Sequence, residues 1–188
     1  MRRLLVSALE VLEVAVVAVG AVFLIRTFLV QPFLVSGASM VPNFEDKDYL
    51  LIDQLTYRFR EPARGEVVVF RYPNNPSTYF IKRVVGLPGD RVVLDDNKIT
   101  IFNKQHPQGK VLDENYIPLR VTTNPRPGGQ SQFVLTDGEY LVLGDNRTFS
   151  FDSRDWGILP RTDIIGLARL RLWPPTNLKV FASASDVF

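Results

Sequence analysis

Cysteine is absent from the 188 residues, and histidine occurs once, as His106. The first absence excludes a disulfide framework, a thiol nucleophile and cysteine-based zinc sites. It leaves the compartment open, because a chain without cysteine tolerates oxidising and reducing surroundings alike. His106 stands in Asn103-Lys104-Gln105-His106-Pro107-Gln108-Gly109, a polar turn. Acid–base chemistry is therefore not expected to rest on histidine, and a Ser-His-Asp triad would have to draw its base from that turn. A strong charge bias is also lacking. Lys and Arg total 22 against 20 Asp and Glu, a net charge of +2, with no long basic run. No nucleic-acid partner is expected on that balance. The chain holds no Gly-rich phosphate loop, H-E-x-x-H, G-x-S-x-G or S-x-x-K string, and no metal or cofactor is implied.

What is present suits a folded chain: 46% hydrophobic and 22% charged residues. The length fits one domain with an appendage, able to bury a core without staples. The appendage comes first. Met1-Arg2-Arg3 precedes an apolar stretch from Leu4 to Ile25, interrupted only by Glu10 and Glu13 and uncharged from Val14 to Ile25. That length suffices for a membrane-spanning helix if the glutamates, which share a face, lie near the interface. Arg26 closes the run, and Phe28 and Phe33 would mark the far interface.

Three other accounts fit less well. A cleaved export signal would place its small residues, Ser36-Gly37-Ala38, too far beyond Ile25. A surface helix would need a polar face that Val14–Ile25 lacks. A buried core helix fits the uncharged stretch. The expectation is residues 1–30 as a cytoplasmic start and single transmembrane helix, with 31–188 an extracytoplasmic β domain, oriented by Arg2 and Arg3.

Beyond residue 40 the pattern changes to short strands and turns. Tyr49–Ile52, Glu66–Phe70 and Phe80–Val85 are apolar or β-branched runs. Arg91–Leu94 and Lys98–Phe102 flank Asp95-Asp96-Asn97, a hairpin signal. Phe133–Leu135 and Tyr140–Leu143 flank Thr136-Asp137-Gly138-Glu139, and Ile164–Leu172 forms a last strand. The fold class is mainly β and antiparallel. Residues 95–132, richest in turn formers, read as a peripheral insertion.

Three blocks could carry chemistry. Ser39-Met40-Val41-Pro42 follows the small residues Gly37 and Ala38, which leave room for a substrate backbone. A serine there also serves as an ordinary turn residue or helix cap. Lys82 lies inside an apolar strand, with Phe80 and Val84 on its face. Buried, its amine would lose its charge readily and act as a base; on an edge strand, it would simply discourage aggregation. The polar block from Gly144 to Gly157 either organises a site through side-chain-to-backbone hydrogen bonds or caps a strand end.

Together these blocks resemble the bacterial type I signal peptidases. Ser-Met-x-Pro follows the apolar segment. Arg64-Gly65-Glu66-Val67-Val68-Val69-Phe70, then Tyr79-Phe80-Ile81-Lys82-Arg83-Val84-Val85-Gly86-Leu87-Pro88-Gly89-Asp90, then the Gly144-Asp145-Asn146-Arg147 block follow in order. The resemblance runs from about residue 10 to 173. It implies a strongly bent antiparallel β domain, with Ser39 as nucleophile, Lys82 as general base and Ser150 orienting the lysine amine. It also implies Asp152 and Arg154 as a structural ion pair, and Asp145 and Asn146 as loop organisers. Phe33, Val35, Met40, Phe44 and Ile81 would line shallow pockets for small side chains. The implied partners are signal-peptide-bearing preproteins, cleaved after a small-x-small sequence, and the lipid bilayer; the oligomeric state is not fixed.

Two positions depart from the family pattern. Gly37 stands where some members carry a hydroxyl that helps hold the oxyanion, and Asn43 where many carry Thr. Two rival functions have discriminating features. A β-rich binding module without catalysis would not need serine, lysine and Ser150 intact. A self-cleaving Ser–Lys repressor would begin with a DNA-binding head rather than an apolar segment.

Overall fold

The computed structural model describes the backbone of residues 2–28, 30–118, 121 and 123–181, and within the first helix the side chains of residues 10–23. Helix α1 (Arg2–Phe28) leads into β1 (Val30–Leu34), β2 (Tyr49–Asp53) and the single turn α2 (Thr56–Phe59). Then come β3 (Val67–Tyr72), β4 (Asn75–Gly86), β5 (Arg91–Asp95), β6 (Lys98–Phe102), β7 (Lys110–Val111) and β8 (Gln132–Val134). The chain closes with β9 (Glu139–Leu143), α3 (Ser153–Trp156), β10 (Leu159–Pro160), β11 (Ile164–Trp173) and β12 (Lys179–Val180). Among the described residues, no helix is long and apolar enough to cross a membrane. Arg2, Arg3, Arg26 and the Phe28 side chain, which bear on that expectation, lie outside the residues whose side chains are described.

The architecture is mainly β and antiparallel, as the turn-punctuated sequence implies. One sheet runs β1-β2-β11-β3-β4-β9-β10, with β12 also on β11; a smaller one runs β7-β6-β5-β8. Register shifts interrupt β11 against both β2 and β3, and β4 against both β3 and β9. Such bulges bend and twist a sheet locally. β4 serves two neighbours in turn, pairing β3 up to Arg83 and β9 from Arg83 to Gly86. Both faces of β3 are covered: Val67 and Val69 join one core cluster, Val68 and Phe70 another. Burial on both sides is why this strand reads as an unbroken apolar run rather than an alternation.

The hairpin signal at Asp95-Asp96-Asn97 is realised. Asp95 pairs Lys98, and Asp96 and Asn97 both take positive φ, 45° and 61°. That is the backbone a two-residue turn needs, and Asp and Asn are the non-glycine residues best able to adopt it. The turn Thr136–Glu139 does not join paired strands. It carries the chain from β8 in the small sheet to β9 in the large one. β1 does not show in the apolar pattern, because it follows the α1 run almost without a break. Pro32 suits its position at the edge of the sheet, where it pairs only with β2.

Candidate active site

Ser39 lies in the turn that follows β1. Val35 N–H donates to Asp48 O and Lys47 N–H to Val35 O, both at 2.9 Å, which closes the base of the turn. Gly37 takes φ 94°, a left-handed backbone open to glycine, and its N–H is held by Asp46 Oδ1 at 2.9 Å. Asn146 grips the Ser39 segment from the far loop. Its N–H donates to Ser39 O and its Nδ2 to Ala38 O, each at 3.0 Å.

Lys82 is 3% exposed in the middle of β4. Its Nζ is hydrogen-bonded to Ser39 Oγ at 2.7 Å and to Ile81 O at 2.9 Å. Burial pulls its pKa down from the ordinary 10.5 to about 8, although the Asp152 and Asp145 carboxylates oppose the shift. Each of those acids has its own cation. Arg83 makes a two-armed pair with Asp145, at 2.7 and 2.6 Å, and Arg154 does the same with Asp152, both arms at 2.8 Å. For Asp152, burial alone would raise the pKa, but the Arg154 guanidinium and the Gly144 N–H hold it below the usual carboxylate range. Asp152 and Arg154 form an ion pair near the lysine, and Asp152 also caps α3 through a capping box with Asp155.

Ser150 is 2% exposed. Its hydroxyl adds to the lowering of the Asp152 pKa, but its Oγ has no direct hydrogen-bond partner among the described residues. No hydrogen bond joins it to Lys82 Nζ, so the implied orienting contact is not formed here. Its proximity to Ser39 is nevertheless built in at Gly144. A β carbon there would fall 2.1 Å from Ser150 Oγ and 2.5 Å from Ser39 O. Only glycine lets these two segments approach so closely.

A cavity of about 110 Å³ opens beside the pair, lined by Phe33, Val35, Ser36, Leu50, Tyr79, Phe80 and Ile81 among others, with Ser39 and Lys82 at its end. Phe33 and Tyr79 meet edge to face across it at 5.5 Å. Phe33, Val35 and Ile81, which the resemblance implies as pocket residues, line this cavity. Met40 and Phe44 do not line this cavity. They are 1% and 0% exposed in the core cluster beneath it, with Val35, Leu50 and Ile52. The tight turn after Ser39 points both inward: Asn43 N–H and Phe44 N–H both donate to Met40 O. Met40 Sδ accepts from Asp145 N–H at 3.4 Å, and Phe44 stacks on Phe181 at 4.5 Å.

Residues 8–173 match the family described as signal peptidase, peptidase S26. The chain belongs to this family, one of serine endopeptidases. It is 39% identical over 171 residues to a probable signal peptidase I-2 of Synechocystis sp., covering 88% of this chain and 73% of that one. It is 38% identical over 161 residues to signal peptidase I of Leptolyngbya laminosa, covering 82% and 74%. A crystal structure of a signal peptidase I from Enterococcus faecalis V583 aligns with TM-score 0.45 and 28% identity, over 57% of this chain and 97% of that one.

Several residues of this S26 site are not legible in the motifs. Asn43, which stands where many family members carry Thr, sends Nδ2 to Asp145 Oδ2 at 2.8 Å and to Tyr116 O at 2.6 Å. Arg83 carries the Asp145 pair, donates to Gly65 O at 2.7 Å and lies 4.2 Å from the Tyr116 ring centre. Its signal was a second cation next to Lys82 in an apolar strand. Arg171 donates to Asn43 O and pairs with Asp48 at 3.0 Å, tying β11 to the nucleophile turn. His106 stays in its turn, bonded through its N–H to Asn103, and is not among the residues that line the cavity.

Proposed function

We propose that this chain is a membrane-anchored endopeptidase that removes signal peptides from exported preproteins with a Ser39–Lys82 dyad. The observation that carries this is the 2.7 Å contact between Ser39 Oγ and a Lys82 amine whose pKa burial lowers to about 8, so that far more of it is neutral near neutral pH than in an ordinary lysine. A serine hydroxyl is a poor nucleophile until a base takes its proton. In the neutral amine the contact runs from hydroxyl to nitrogen: Ser39 Oγ–H donates to the Nζ lone pair. One Nζ–H donates to Ile81 O, which turns the lone pair toward Ser39.

Ser39 Oγ attacks the scissile carbonyl as its proton passes to Lys82 Nζ. The Ser39 N–H lies beside the developing oxyanion and stabilises it; Gly37 N–H is committed to Asp46. The lysine, now an ammonium, gives its proton to the leaving amine, and an acyl-enzyme forms. Neutral again, Lys82 takes a proton from water, whose oxygen breaks the ester and frees Ser39. The shallow cavity of Phe33, Val35 and Ile81 favours small side chains before the cleaved bond.

The anchor completes the proposal. The 27 residues of α1 rise about 40 Å, against a hydrocarbon core of about 30 Å. The uncharged run Val14–Ile25 and the basic Arg2-Arg3 support one span with the start in the cytoplasm and residues 31–188 on the other side. Substrate and enzyme then meet at the same bilayer surface.

The test is to incubate the full chain in detergent micelles with a preprotein and sequence the new amino terminus. A single new end directly after a small-x-small sequence is expected. An uncut preprotein, or ends scattered along it, contradicts the proposal.

A further inference from the structure

The residues from Gly144 to Asp152 belong to no strand or helix, yet they bring Asp145 and Asp152 close enough to act on Lys82 and set Ser150 against Gly144 beside Ser39. Side chains hold them, and several come from the segment between β7 and β8. Arg126 Nη2 donates to Ser150 O, while its Nε pairs with Asp155 Oδ1 at 3.1 Å. The other oxygen of Asp155 accepts from Asp152 N–H at 3.0 Å, so the grip passes on to the residue that meets Arg154. Further back, Arg147 is 1% exposed and ion-paired with Glu114. Its guanidinium also donates to Thr123 Oγ1 and, at 2.9 Å, to Gly144 O.

Resting on the Ser39–Lys82 proposal, we infer that Glu114, Thr123 and Arg126, all between β7 and β8, clamp this loop, with Arg126 and Glu114 as positioning residues that hold Ser150 beside Ser39 and the acids beside Lys82. Arg126 suits the task because a guanidinium is a rigid fork, able to hold a carbonyl and a carboxylate at once. Glu114 suits it because Arg147, sealed from water, needs a counter-charge.

The clamp matters because the lysine works only while neutral. Lys82 faces Asp152 and Asp145, each paired by Arg154 or Arg83, together with Ser39 from the turn after β1. Both carboxylates favour the ammonium, and exclusion of water is what opposes them. Loosening the loop admits water, raises the Lys82 pKa and shrinks the neutral fraction that serves as base at neutral pH. A residue that merely supports the fold would lower activity equally at every pH.

The experiment uses the full chain in micelles with Arg126→Ala, Arg126→Lys and Glu114→Gln, reading kcat, KM and amide hydrogen exchange of residues 144–155. Arg126 is 29% exposed in its side chain, so its variants keep the fold. Arg126→Ala is expected to lower kcat about tenfold at pH 7 with KM within about twofold, since misplacement by an ångström costs up to about 10²-fold. Its acid limb moves to higher pH by about one unit, so that alkaline conditions recover much of the loss. Exchange in the loop becomes faster. Arg126→Lys keeps one arm and falls between wild type and Ala. An acid limb that does not move, or loop exchange equal to wild type, overturns the clamp. Ser39→Ala run in parallel separates the cases: if it still cleaves, the dyad is wrong, and the exchange measurement alone decides the clamp.

Discussion

Lys82 Nζ and Ser39 Oγ stand 2.7 Å apart although 43 positions separate them in the sequence. Two separate anchors make that contact. β4 is paired along both its edges at Arg83, which fixes Lys82, and Asn146 holds the Ala38 and Ser39 carbonyls, which fixes the serine.

The first prediction concerns pH and rate. Lys82 must be neutral to accept a proton, and its pKa lies at about 8 rather than 10.5. The rate should rise with pH through a limb centred near 8 and level off above it. A kcat/KM profile on a preprotein checks this. A rate that is flat from mildly acid to alkaline pH contradicts a lysine base.

The same shift predicts a stability effect of Lys82→Met. A lysine whose folded pKa lies below its unfolded value costs stability wherever both states are charged, here below pH 8. The cost fades as pH rises from about 8 to 10.5, because only the unfolded state still binds the proton. A gap of that size corresponds to roughly 3 kcal/mol, partly offset by the lost bonds to Ser39 and Ile81. Lys82→Met should therefore be inactive yet melt higher than wild type at pH 7, with the advantage gone near pH 10. Thermal unfolding at both pH values measures it.

Gly144→Ala should damage the site more than the fold. Its β carbon would overlap both Ser150 Oγ and Ser39 O, so one of these segments must move. The expected loss in kcat is about 10²-fold, with stability reduced by about 1–3 kcal/mol. A variant with wild-type kcat would show that the close approach of Ser39 and Ser150 is dispensable.

Ile81→Ala should relax substrate choice. Ile81 lines the cavity and is partly exposed there, so its truncation makes room. Preproteins with Val or Leu before the cleaved bond should gain about tenfold relative to those with Ala, the scale set by one or two methylene groups. Competition between the two substrates in one reaction gives the ratio directly.

Much of this was legible along the chain. Strand runs, the Asp96-Asn97 turn and the misfit of Lys82 among Phe80 and Val84 are local signals, readable from alternation and turn chemistry. Where a side chain sits relative to distant segments is not. The resemblance implies Met40 and Phe44 as pocket walls, but the turn bonds to Met40 O drive both into the core. Arg126 and Glu114 lie in a turn-rich stretch with no periodic pattern. Their partners Ser150 and Arg147 are 24 and 33 positions away, so nothing local marks them. β1 is hidden for a third reason: its apolar residues continue those of α1, and only its pairing with β2 defines it.

The most direct test of the dyad is a comparison of cleavage rates for Ser39→Ala, Lys82→Ala, Lys82→Arg and the Ser39/Lys82 double alanine variant, with His106→Ala as a control. In the proposed dyad serine and lysine act as one unit, so each single alanine variant should be inactive and the double variant no worse. Lys82→Arg should match Lys82→Ala, because a guanidinium stays charged and takes no proton. His106→Ala should cleave at the wild-type rate. Circular dichroism should show all variants folded. A Lys82→Ala protein that cuts a preprotein at near wild-type rate would contradict the mechanism, and an inactive His106→Ala would point to a histidine base instead.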